Sequence, residues 1–258
     1  MNAQQALFER LIDHAALFPP ASMSMPDAVA ADRAARAGEH AWMLDRFIVP
    51  ASRLGELPPE MPRLSVVLDR GEGDLEAVAE APHEVELVEG RIDPAWIPDT
   101  QALVEQKLPG VRAFWELSPG RGLRGAVAAV REAGAGAKIR CGGTTLPSVQ
   151  EVADFIVACR EAEVPFKATA GLHHPIRSGD RHGFLNLLAA TVLEDADTEA
   201  IVGEEDPAAF ALDADGLTVH GRRADPAQIA EARAERFVAY GSCSFSEPVE
   251  DLTALGLL

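Results

Sequence analysis

Short strand-forming runs recur along this chain at near-regular spacing, and that rhythm restricts the fold more than any other feature. They occupy 46–50, 64–69, 84–89, 112–117, 137–141, 165–169 and 236–241. Helical or Pro/Gly-rich stretches separate them, with the clearest helices expected at 122–133 and 148–162. In the latter, Val149, Val152, Phe155, Ile156 and Cys159 share one face. Strands alternating with helices of this length imply a parallel sheet with crossover helices. No Gly-x-Gly-x-x-Gly follows the first run, which removes the usual mark of an open doubly wound sheet. The expectation is an α/β fold of the (β/α) TIM-barrel type. A chain of 258 residues, 47% of them hydrophobic, can bury the core of one such domain, spanning 1–258.

The barrel is expected to be irregular, with helices at its N-terminus. Leu7, Leu11, Ile12 and Ala15 have helical spacing across 4–15, and Leu-Phe-Pro-Pro-Ala then stops the helix. A second helix at 26–38 opens on proline and closes on glycine. Segment 210–220 breaks the rhythm: Asp215-Gly216 between alternating residues predicts a hairpin. This hairpin is expected either to replace a barrel strand or to cross the barrel mouth.

A net charge of −18 argues against nucleic-acid and anionic-membrane partners, which an acidic surface repels. No early segment reads as an export signal, and no run approaches the ~18 apolar residues of a membrane span. Three unclustered cysteines fit a reducing compartment, so a cytoplasmic protein is expected. The oligomeric state is left open, a homo-oligomer included.

Lysine usage points to chemistry. Of 23 basic residues only Lys107, Lys138 and Lys167 are lysines. Lys138 and Lys167 lie in apolar strand-like runs that end near glycine, and a lysine there can do what arginine cannot: lose its proton and act as base or nucleophile. Catalytic groups of a (β/α) barrel sit at the carboxyl ends of strands. That rule selects Asp69, Glu86 or Glu89, Glu116, Lys138, Arg140, Lys167, Thr169, His173, His174 and the run Ser242-Cys243-Ser244. Period-two alternation then pairs Lys138 with Arg140, Lys167 with Thr169 and Phe114 with Glu116, facing the interior opposite apolar Ile139 and Phe166. Crowded cations would lower one another's proton affinity, leaving a neutral amine that attacks carbonyls. The competing expectation is ion pairing of Lys138 or Lys167 with Glu116 or Glu89, with no chemistry.

The stretch Phe-Lys-Ala-Thr-Ala-Gly, with a preceding strand carrying Lys and then Gly-Gly, resembles the class I aldolases of the deoxyribose-phosphate aldolase type. Those enzymes form a Schiff base on a strand-end lysine and keep a second lysine on the following strand, with an acidic partner. The resemblance implies that Lys167 forms the imine and that Lys138 tunes it. The substrate would be a small anionic carbonyl compound, handled by a lyase without a cofactor. Arg140, the Gly142 and Gly143 amides, Thr169, Arg177, Ser242 and Ser244 are candidate substrate contacts, with Arg181 near Arg177 as a further clamp. Glu116 would move protons, with His173 or His174 as acid, base or substrate contact.

Histidine supports an alternative. His173 and His174, with His14 and Asp13, would hold a divalent metal in a hydrolase or isomerase. A third possibility is a barrel that binds a metabolite without turnover. Cys141 and Cys243 read as small buried thiols, since no histidine pattern accompanies them.

Overall fold

Eight parallel strands close into one barrel. In the computed structural model, which describes residues 1–71, 73–143 and 146–258, helix α1 (Ala3–Phe8) leads into β1 (Ile12–His14) and then α2 (Met25–Arg36). There follow β2 (Leu44–Pro50), β3 (Leu64–Val67), α3 (Asp74–Glu80), β4 (Val85–Gly90), α4 (Ile97–Lys107), β5 (Arg112–Glu116), α5 (Leu123–Glu132), β6 (Gly136–Arg140), α6 (Val149–Glu161) and β7 (Phe166–Thr169). Next come α7 (Phe184–Val192), α8 (Thr198–Gly203), β8 (Phe210–Asp213), β9 (Gly216–Val219), β10 (Arg222–Ala224) and α9 (Pro226–Glu235), before β11 (Phe237–Ser242) and α10 (Ser246–Ala254) complete the chain. The closed order is β1-β11-β7-β6-β5-β4-β3-β2, while β8 to β10 form a separate antiparallel sheet. Among the described residues, no helix is long and apolar enough to cross a membrane.

Local chemistry sets the helix starts. Ser24 accepts the Asp27 amide with Pro26 in the first turn of α2, and Ser148 with Glu151 forms a reciprocal capping box on α6. Outward strand residues then pack under the helices: Phe166 meets Phe155 of α6 edge to face at 5.4 Å and Phe237 of β11 at 5.0 Å. Helix α7 is buried on every side, so its one side-chain amide, that of Asn186, must be satisfied internally. Asn186 Nδ2 donates to the carbonyls of Ile201 and Glu204, and Oδ1 accepts the Arg177 amide.

Two expectations change. The helix expected across 4–15 stops at Phe8, Arg10 takes a positive φ of 49°, and Ile12–His14 becomes the strand that closes the barrel. Its backbone pairs with β2 on one side and β11 on the other, hydrogen bonds that a helical continuation would forfeit. The 210–220 hairpin neither replaces a barrel strand nor crosses the mouth. It gains a third strand, β10, and packs beside α1 and α9, with the Ala3 amide donating to the Ala214 carbonyl at 3.0 Å.

Candidate active site

Parity along the strands fills the barrel interior with charge. Register places Glu116 beside Lys138 and Lys138 beside Lys167 on β5, β6 and β7. Below them the Phe114 ring lies 5.9 Å from Lys167 Nζ. Gly136 makes room for that ring: a Cβ there would sit 2.3 Å from Phe114 Cε1. Phe114 thus forms an apolar layer beneath the lysines. Arg46 lies in a second charged cluster, with Nε 2.9 Å from Glu86 and Nη1 2.5 Å from Asp45, which Arg63 and Arg10 join. This cluster removes Glu86 from the candidate site. Asp69 is engaged elsewhere too, accepting the Ser52 amide at 2.9 Å.

Carboxylates interleave with the two lysines. Lys167 Nζ lies 2.5 Å from Asp13 Oδ2 and 2.5 Å from Glu89 Oε1. Lys138 Nζ lies 3.1 Å from Glu89 Oε2 and 3.5 Å from Glu116 Oε2. Ser65 Oγ donates to Glu89 at 2.5 Å, and the Arg140 guanidinium meets both oxygens of Glu116 at 3.2 Å.

The electrostatics follow. Burial alone would lower the Lys167 pKa, but the Asp13 and Glu89 carboxylates reverse it and raise the pKa above the ordinary lysine value. Burial would raise Glu89, yet Lys167 and Lys138 hold it well below the usual carboxylate range. Glu116 is likewise lowered, burial being outweighed by Lys138 and Arg140. Three carboxylates stand among the convergent cations, so the crowding expected to leave Lys167 neutral is offset and its charged form is favoured.

A cavity of ≈ 820 Å³ opens at the carboxyl ends of the strands. Glu89, Glu116, Lys138 and Arg140 meet it, as do Thr169, Gly143, His173, Ser242 and Cys243, and the Phe18-Pro19-Pro20 turn forms part of its wall. Lys167 does not line it and is only 1% exposed, sealed under Glu89 and Asp13. Lys167, the lysine expected as the attacking amine, is thus not the one that meets the cavity; Lys138 is.

The other predicted residues scatter. Gly142 lines a smaller adjoining pocket with His174 and Arg181, and its Cα packs against the next loop, since a Cβ would lie 2.6 Å from Gly171 Cα. His174 Nδ1 is held by Asp251 at 2.6 Å. Arg177 faces Glu205 at 3.6 Å, away from the cavity. Ser244 lies outside the cavity lining, and its carbonyl accepts the Ser242 hydroxyl at 2.6 Å.

The metal donors point apart. His14 turns outward to buried Asp32 of α2 at 3.3 Å, while Asp13 turns inward to Lys167. Among the described residues, no three His, Cys, Asp or Glu side chains form a group that could hold a metal ion.

Two partners escaped the sequence reading. Asp13 enters as the counter-ion of Lys167, a role that inward parity would have assigned had Ile12–His14 been recognised as a strand. Cys243 does have a histidine: Sγ lies 3.9 Å from His173 Nδ1, which also contacts Glu247 Oε2 at 3.2 Å. That pairing joins segments 70 residues apart and leaves no local spacing signal. No family model matches the chain, and a search of curated proteins finds no match.

Proposed function

We propose that the protein is a carbon–carbon lyase that binds a small anionic carbonyl compound in the mouth of the barrel and forms an imine on Lys138. One observation carries this reading: Lys138 is the cavity-facing lysine, and Glu89 has a second, permanent counter-ion in Lys167. Deprotonating Lys138 therefore leaves Glu89 paired with Lys167 and Glu116 paired with Arg140, so no buried charge is stranded.

The amine attacks the carbonyl carbon as the C=O π pair moves to oxygen, which takes a proton. The resulting hydroxyl takes a second proton and leaves as water as the nitrogen lone pair forms the iminium. Cleavage of the bond between the α- and β-carbons sends its electron pair into the iminium to give an enamine, while the β-hydroxyl gives up its proton and the β-carbon leaves as an aldehyde. The enamine is reprotonated at the α-carbon and hydrolysed to free the amine. Glu116, at 3.5 Å from Lys138 and facing the cavity, carries the protons, and Arg140 attracts the substrate anion. With Lys138 as the amine, the second lysine lies on the following strand, as in the class I aldolases that the sequence resembles. Asp13 and Glu89 supply acidic partners.

Borohydride trapping with a panel of aldehydes and 2-oxo acids, read by intact mass and peptide mapping, tests this. The expected adduct maps to Lys138 and disappears in Lys138→Met. No adduct across the panel, with ligands that raise the unfolding temperature unconverted, supports a second reading that the ion-paired lysines also suit: a metabolite-binding barrel without turnover.

A further inference from the structure

We propose that Cys243 and His173 form a second reactive centre in the cavity wall, a thiol–imidazole pair that adds to the β-carbon of an α,β-unsaturated carbonyl compound. Cys243 follows β11 and His173 follows β7, neighbouring strands of the barrel, and both side chains meet the cavity that Lys138 and Arg140 line. The proposal rests on that shared cavity and not on an imine at Lys138.

Three features separate this thiol from the other two. Cys141 and Cys159 are 0% and 1% exposed against 8% for Cys243, and burial pushes the Cys141 thiol up to about 12. Neither has a histidine partner among the described residues, whereas Cys243 Sγ lies 3.9 Å from His173 Nδ1. Glu247 of α10, 3.2 Å from the same nitrogen, favours the imidazolium that a thiolate requires as its partner. The hydrogen bond with Cys243, then Glu247, raises the His173 pKa against partial burial. Across the smaller pocket Asp180 and Arg181 also face this region, and neighbouring His174 is engaged by Asp251.

The chemistry balances without another reactant. The thiol proton moves to His173, and the thiolate forms an Sγ–Cβ bond as the C=C π pair shifts toward the carbonyl. The resulting enolate carbon takes the proton back from the imidazolium. No group leaves, and nothing is oxidised or reduced. Sulfur is soft and polarizable, which suits a conjugated carbon. Lys138 and Arg140 offer cationic donors to the carbonyl oxygen or to a carboxylate on the same molecule.

The test is alkylation of the full-length protein by acrylamide at pH 6.5, followed by intact mass and peptide mapping, with glutathione as the reference thiol. With its sulfur beside the His173 imidazole, Cys243 should react at least about tenfold faster than glutathione, and ahead of Cys141 and Cys159. His173→Gln should remove that advantage, and Cys243→Ser should remove the fast adduct while keeping the native circular dichroism. Reaction of wild-type Cys243 no faster than glutathione would overturn the proposal, a result that needs no variant to fold. An unchanged rate in folded His173→Gln would overturn it too. Imine adducts map to Lys138 and thioethers to Cys243, so this proposal and the lyase reading fail separately.

Discussion

Lys138 and Lys167 stand opposite one another in parallel register on β6 and β7 and hold a single carboxylate, Glu89, between their amines. The two are not equivalent. Lys167 has Asp13 as its other partner and is shut off from the cavity, whereas Lys138 has Glu116 and faces it. That asymmetry divides a lysine sealed between two carboxylates from an ion-paired lysine that meets the cavity.

Stability should divide in the same way. Lys167→Met leaves Asp13 buried, with Arg46 Nη1 at 3.6 Å as its remaining cation, and should cost about 3–5 kcal/mol. Lys138→Met leaves Glu89 paired with Lys167 and Glu116 paired with Arg140, so its loss should be smaller, about 1.5–3 kcal/mol. Urea unfolding at pH 7 measures both. Equal losses would remove the asymmetry.

The carboxylates predict the acid limb of stability. Glu89 and Glu116 are held below the ordinary glutamate value of 4.5, so below that pH the unfolded chain takes up protons that the fold refuses. Their contribution is complete above about pH 5 and is lost as pH falls through the folded values. Lys167 has the opposite sign: its contribution is complete below the unfolded value of 10.5 and is lost as pH rises through the higher folded one. Glu89→Gln should flatten the dependence between pH 5 and 3 by up to about 1.4 kcal/mol per pH unit, one proton's worth. Unfolding free energies at stepped pH check it, and an unaltered slope would count against the assignment.

The barrel and the inward set were readable because they depend on local order. Period-two alternation in Ala137-Lys-Ile-Arg and Phe166-Lys-Ala-Thr places each lysine inside without knowledge of its neighbours. Strand β1 was hidden because three residues carry too little pattern, and Leu11 and Ile12 continue the helical spacing of Leu7. Which lysine meets solvent was also hidden. It depends on Asp13 and Glu89, drawn from strands 154 and 78 residues away from Lys167, closing over its amine.

Arg140 should control anion binding with little effect on the fold. Its side chain is 50% exposed, and its partner Glu116 keeps Lys138 when the guanidinium is removed. Arg140→Met should weaken binding of 2-oxo acids by roughly tenfold, about 1.4 kcal/mol for a charge-assisted contact, while neutral aldehydes bind as before. Titration calorimetry with matched acid and aldehyde ligands reads the difference. An equal loss for both ligands would mean that Arg140 shapes the cavity and does not recognise charge.

Packing under the lysines offers the last test. Gly136 has an ordinary negative-φ backbone, so alanine meets no conformational barrier there; its methyl would instead lie 2.3 Å from the buried Phe114 ring. Phe114 is fully buried, with the Lys167 amine 5.9 Å and the Arg112 guanidinium 5.2 Å from its ring centre, so the ring must repack against its neighbours to yield. Gly136→Ala should therefore cost roughly 1–3 kcal/mol by overpacking. Phe114→Leu alone should also destabilise, by leaving space under the lysines. Combined, the two changes should cost less than the sum of the single losses, because the smaller side chain vacates the volume that the new methyl needs. A double-mutant cycle by chemical denaturation measures that coupling. Strict additivity would show that Gly136 is not there to admit the ring, and would remove the apolar floor on which the Lys167 amine rests.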